Sequence, residues 1–123
     1  MTRVYYDGQC GLCRREIDYY KKIAPHGLFD WIDVTRDASS LEGLGVTYVQ
    51  ALKLLHVVDD QGCLHIGVDA FIQIWRQIPY WTLLAKITGL PVIYPLAKWA
   101  YRLFAQWRFE RLDHCQIALR ENP

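Results

Sequence analysis

Two cysteines separated by two residues, Cys10-Gly11-Leu12-Cys13, stand at the junction of a strand and a helix near the start of this 123-residue chain. Their position limits what the first third of the chain can fold into. Val4-Tyr5-Tyr6 is a short run of β-forming residues, closed by the turn pair Asp7-Gly8. After the cysteines, Ile17, Tyr20 and Ile23–Ala24 recur at helical spacing, with Arg14, Arg15, Lys21 and Lys22 mostly between them. Pro25 and Gly27 end that helix, and Leu28 to Val34 reads as a second strand. Strand, helix, strand makes a βαβ unit, whose two strands run parallel because a helix connects them.

The rest of the chain reads less evenly. Ser39-Ser40 is an N-cap candidate for a short helix through Leu41 and Leu44, and Val46 to Lys53 fits helix or extended chain. Leu54 to Val58 predicts a third strand, Asp59-Asp60-Gln61-Gly62 a hairpin turn, and Cys63 to Ile66 a fourth strand. Asp69 is expected to cap a helix carrying Phe71, Ile72, Ile74 and Trp75 that stops near Pro79. The remaining chain predicts helix broken at Gly89–Pro95, with Leu96, Ala100, Leu103, Phe104 and Trp107 on one face. The sum is a single α/β domain over 1–123, a four-stranded mixed sheet flanked by helices. Residues 80–112 form an added helical segment and 113–123 a tail.

The dithiol points to exchange chemistry. The nucleophile in such exchange is the thiolate, and an ordinary cysteine at about pKa 8.5 is mostly protonated near neutrality. Unpaired N–H groups and the dipole at a helix start favour the anion. Arg14 and Arg15 add positive charge in the first turn. The two-residue gap brings the second sulfur within bonding reach. Cys10 is expected at the outer edge as the attacking thiolate, with Cys13 a turn deeper as the resolving thiol. Asp7 fits two roles: taking the proton from Cys13, or bonding nearby N–H groups as an Asp-Gly turn residue.

Bulk properties exclude some classes. Net charge is +1, without the basic excess that nucleic-acid binding requires. The N-terminus lacks a basic start followed by a long apolar run, so no signal peptide is expected, and the cytoplasm is the expected compartment. Structural disulfides are rare there, so Cys10, Cys13, Cys63 and Cys115 are read as reactive, metal-binding or buried rather than as a disulfide framework. The apolar stretch from Trp81 to Trp107 is interrupted by Lys86, Gly89, Pro91, Pro95, Lys98 and Arg102, too often for a spanning helix.

The stretch Tyr5-Tyr6-Asp7-Gly8-Gln9-Cys10-Gly11-Leu12-Cys13-Arg14-Arg15-Glu16 resembles the signature of the DCC family of thiol-disulfide oxidoreductase-like proteins, also catalogued as domain of unknown function 393. Asp7, Cys10 and Cys13 match the residues that give the family its name. Ala51 to Asp59, then Gly67-Val68-Asp69-Ala70-Phe71 and Trp75, form a second match, and the likeness extends from about Val4 to Arg108. The resemblance implies a thioredoxin-like fold and protein-disulfide reductase activity, with Cys10, Cys13 and Asp7 as catalytic residues and no cofactor. It implies a protein or small-molecule disulfide as substrate and an electron donor still to be identified. One departure stands out: thioredoxins carry a cis-proline before the third strand, and the equivalent place near Leu52–Leu55 has no proline.

Alternative readings sit beside this one. The fold could serve as a non-catalytic redox-sensing or partner-binding module. A zinc site would need Cys63, His65, His114 or Cys115 to complete Cys10 and Cys13, and His114-Cys115 is too closely spaced for a normal knuckle. His56 reads as a satisfied core histidine or as a charge partner near the dithiol. Cys63 is expected to be structural, and Cys115 an exposed thiol in the tail. Trp81, Tyr94, Trp99, Tyr101 and Trp107 fit core packing. With Lys98, Arg102 and Arg108 they also fit a face for a peripheral membrane or partner contact. Some of these helices are expected to form a lid limiting access to Cys10.

Overall fold

The alternation of residues along the first strand sets the architecture. In the computed structural model, which describes residues 1–79 and 81–121, β1 spans Thr2–Tyr6 and sits inside the sheet. Val4 and Tyr5 are both fully buried, and successive side chains of a strand point to opposite faces. Val4 packs with Ile17, Tyr20, Val57, Ile74 and Ile78 on one face, and Tyr5 with Leu52, Val58, Phe109 and Cys115 on the other. One sheet therefore divides two apolar cores.

The sheet order is β2-β1-β3-β4, with β2 at Phe29–Asp33, β3 at His56–Val58 and β4 at Leu64–Ile66. β1 and β2 are parallel, joined by helix α1 (Gly11–Ile23), and β3 runs antiparallel to both β1 and β4. The βαβ unit, the hairpin and the four-stranded mixed sheet are as the sequence predicts. The third and fourth strands are shorter than predicted, and exposed Cys63 falls in the turn.

Elsewhere the boundaries move for local reasons. The expected helix through Leu41 and Leu44 is one 3₁₀ turn at Ala38–Leu41. The ambiguous stretch resolves to α2 (Tyr48–Lys53), because Thr47 and Gln50 form a reciprocal capping box. In α3 (Val68–Trp75) the N-cap is Gly67 at φ 68°, not Asp69. Asp69 lies in the first turn, where its carboxylate accepts a hydrogen bond from the Tyr94 hydroxyl.

Three helices follow: α4 (Thr82–Thr88), α5 (Ile93–Arg111) and α6 (Asp113–Glu121). The break lies at Gly89–Val92, and Pro95 is accommodated in the first turn of α5, where its missing N–H costs nothing. Leu96, Ala100, Leu103, Phe104 and Trp107 do share one face, but it faces solvent while Ala105, Arg108 and Phe109 face the core, so core packing does not hold for Trp99 and Trp107. The expected tail is a helix whose Cys115 and Ala118 are buried against α2 and α5. Tyr80, which opens the predicted added segment, and Asn122 and Pro123 of the predicted tail lie outside the described residues.

Candidate active site

The turn between β1 and α1 is held from outside by β2. The Gly8 N–H donates to Asp33 Oδ1 at 3.0 Å, and the Thr35 N–H and hydroxyl donate to the same oxygen at 3.0 and 2.6 Å. A Cβ on Gly8 would lie 1.8 Å from Asp33 Oδ2, so only glycine allows this approach. The Gln9 N–H donates to Asp7 Oδ1 at 3.0 Å, the Asx turn expected of an Asp-Gly pair. These bonds deliver Cys10 to the N-cap position of α1.

As N-cap, Cys10 Sγ accepts the Cys13 N–H at 3.3 Å, satisfying one of the helix's orphan donors. The two thiols are also within hydrogen-bonding reach and are not joined in a disulfide. A hydrogen bond from the Cys13 thiol, helped by the Cys13 N–H and the Arg108 guanidinium, holds the Cys10 thiol down at about 5, against the opposing effect of burial. The same pairing, and then burial, pushes the Cys13 thiol far up. One sulfur is thus anionic at neutral pH and its neighbour carries the proton.

Access differs from expectation. Cys10, expected at the outer edge, is 2 % exposed, whereas Cys13 is half-buried. The N-cap position turns Cys10 inward, toward Arg108 of α5. A cavity of about 30 Å³ borders Cys13, with Asp7, Glu16, Tyr101 and Arg108 among its lining residues. Burial raises the Glu16 carboxyl above its ordinary range, although a 2.6 Å hydrogen bond from the Tyr20 hydroxyl opposes the shift.

The C-terminal helices supply the second half of the site. Arg108 of α5, which one of the two readings of this segment put on a docking face, is buried; its Nη2 donates to the carbonyls of Leu52 and Lys53 at 2.8 and 3.0 Å. That fork fixes the guanidinium, whose Nη1 lies 3.6 Å from Asp7 Oδ2 and whose charge also acts on the Cys10 sulfur. His114 Nε2 donates to both Asp7 oxygens, at 2.9 and 2.8 Å. The Cys115 thiol donates to Asp7 Oδ2 at 3.6 Å and lies 3.6 Å from His114 Nε2. Cys115, expected to be exposed, is fully buried, and burial followed by the Asp7 charge pushes its thiol up to about 12. It is therefore a protonated hydrogen-bond donor.

Asp7, Cys10 and Cys13 are thus brought together. The other two named candidates are placed differently. Arg14 is exposed on α1. His56 is buried in β3, where its Nδ1 donates to the Leu54 carbonyl at 2.8 Å and burial lowers its pKa, as for a satisfied core histidine. Arg108, His114 and Asp33 were missed as site residues. The spacing Ala105, Arg108, Phe109 does place Arg108 on a buried stripe, and that was the one local signal for it. Asp7, His114 and Cys115 hold ligand atoms within 4.8 Å of one another, a geometry a metal ion could use. The Arg108 cation already faces that carboxylate, however, so the trio is satisfied as a hydrogen-bond network.

Comparison with known proteins supplies the context. The chain is 27 % identical over 111 residues to an uncharacterized chloroplastic protein of Arabidopsis thaliana, an alignment that covers 88 % of this chain. The chain spans about half (51 %) of the length of that relative. No solved structure matches it. The model of the DCC1-like thiol-disulfide oxidoreductase family matches residues 4–113, and the chain belongs to that family.

Proposed function

We propose that this protein is a thiol-disulfide oxidoreductase of the protein-disulfide reductase type, working through Cys10 and Cys13. The observation that carries the reading is the Cys10 sulfur at the helix N-cap, hydrogen-bonded by Cys13 and flanked by the buried Arg108. The Cys10 thiolate attacks a substrate disulfide, forming a mixed disulfide and expelling one substrate thiolate. Cys13 then gives up its proton and attacks Cys10 Sγ, releasing the second substrate thiolate and leaving a Cys10–Cys13 disulfide. Two electrons pass to the substrate, and an external dithiol reductant restores the pair.

Cys13 must lose a proton it holds tightly, and two carboxylates lie near it. Asp7 and Glu16 both line the cavity that borders Cys13, which has room for a water molecule. Asp7 is the better placed base, because Arg108 and His114 hold its carboxylate in a fixed orientation.

Reduction of insulin disulfides by the purified protein tests the proposal. Wild type is active, Cys10→Ser is inactive, and Cys13→Ala accumulates substrate covalently attached at Cys10. The burial of Cys10 favours a second reading, a redox sensor on the same fold. Insulin reduction no faster than by free dithiol, with a partner lost on oxidation, would decide for the sensor.

A further inference from the structure

The outer face of α5 runs against the usual pattern of a surface helix. Leu96, Trp99, Leu103 and Trp107 recur at three- and four-residue spacing along the side away from the sheet, and each is more than half exposed. The opposite side already buries Ala105, Arg108 and Phe109, so α5 is apolar on two faces and only one is covered. Leu83 of α4, which packs beside α5, is 66 % exposed, and Val92 in the connection between them is 80 % exposed. Exposed apolar surface on this scale marks a contact site.

The charge of this segment is predominantly positive. Residues 81–112 hold five Lys and Arg against the single acid Glu110, whereas the rest of the chain holds nine against twelve. Arg108 is buried, which leaves Lys86 on α4 and Arg102 and Arg111 at the flanks of the stripe on α5; Lys98 lies on the side of Ala105, and exposed Glu110 falls on the side of the stripe itself. The Arg111 guanidinium lies 4.5 Å from the Trp107 ring centre. We propose that α4 and α5 dock this protein on an anionic lipid surface, lying in the plane of the headgroups with their apolar side inserted.

The chemistry favours lipid over a second copy of the chain. A two-fold contact through this face would set two net-positive surfaces against each other, with only Glu110 on each side to offset the cations. Anionic headgroups neutralise all of them, and apolar side chains flanked by Lys and Arg, with tryptophans at headgroup level, are what such a surface takes up. At 19 residues α5 is about 27 Å long, and no helix among the described residues is long and apolar enough to cross a membrane. A flat, peripheral arrangement follows.

Co-sedimentation of the purified chain with phosphatidylcholine vesicles, with and without phosphatidylglycerol, tests this. Binding to phosphatidylglycerol vesicles should exceed binding to pure phosphatidylcholine by about tenfold or more, and fall toward the neutral level at high salt. Lys86→Glu with Arg102→Glu should lose that tenfold difference. Trp99→Glu with Leu103→Glu should abolish binding to both while keeping the wild-type melting temperature. Insulin reduction in solution should be unchanged in both double variants, so the docking and the proposed function are tested separately. No binding to phosphatidylglycerol vesicles would overturn the proposal, as would equal binding by the charge-reversed variant. So would sedimentation equilibrium showing a dimer that Trp99→Glu splits.

Discussion

The two ends of the chain build the site on different terms. The β1–α1 turn supplies both sulfurs and Asp7 within seven residues, positioned by backbone geometry: an Asp-Gly turn, a helix N-cap and a parallel neighbour strand. Helices α5 and α6 supply Arg108, His114 and Cys115 from about a hundred residues away, positioned by tertiary packing and by the carbonyls of Leu52 and Lys53. The first region holds the reacting atoms. The second fixes the charge around them and narrows their access. A dithiol motif alone thus specifies the reaction class, and the distant helices adjust how acidic and how reachable the thiol is.

Removing the cation from the second region should do the most damage short of removing a sulfur. Arg108→Ala leaves two buried carbonyls without their donor and the Asp7 carboxylate without its guanidinium, a cost of about 3 kcal/mol. Urea unfolding checks that figure, and the Cys10 thiol should titrate higher than in wild type. Arg108→Lys should restore part of the acidity but not the two-carbonyl fork. An unchanged Cys10 titration in Arg108→Ala would place the control of acidity in the turn alone.

Gly8→Ala probes the first region by the same measurement. The added methyl meets the Asp33 carboxylate, which already accepts three hydrogen bonds and cannot move freely, so a loss of about 2 kcal/mol is expected. His114→Ala should cost less, about 1 kcal/mol, because the ring is partly exposed and Asp7 keeps Arg108 and the Gln9 N–H. Its sharper effect should be kinetic: reduction slows if the fixed orientation of Asp7 matters to proton removal from Cys13.

The same division explains what could be read from the sequence. The βαβ unit, the hairpin and the dithiol at the helix start depend on neighbours in sequence, and turn chemistry plus period-two and helical spacing revealed them. The C-terminal helices depend on which face meets the sheet. Periodicity shows that α5 has a stripe at Leu96, Leu103 and Trp107, but not what lies opposite, and the true core side is marked by a small residue, a charged one and a single aromatic, Phe109. α6 has only Cys115 and Ala118 on its buried side, too short a pattern to separate from a tail. The logic of an attacking thiol predicts Cys10 outward, whereas the N-cap turns it toward Arg108 of α5, a residue no local pattern links to it.

The pH dependence of Cys10 alkylation in the reduced protein, mapped by mass spectrometry, tests the central claim most directly. A thiol held down at about 5 by Cys13 and Arg108 is ionised across the neutral range. Its rate should therefore rise through a midpoint near 5 and stay level to pH 8, at an absolute value kept low by burial. By linkage, the stability that the thiolate confers is complete above the ordinary cysteine range and is lost as pH falls toward 5. A midpoint of about 8 or above, the value of an ordinary cysteine, would contradict the account.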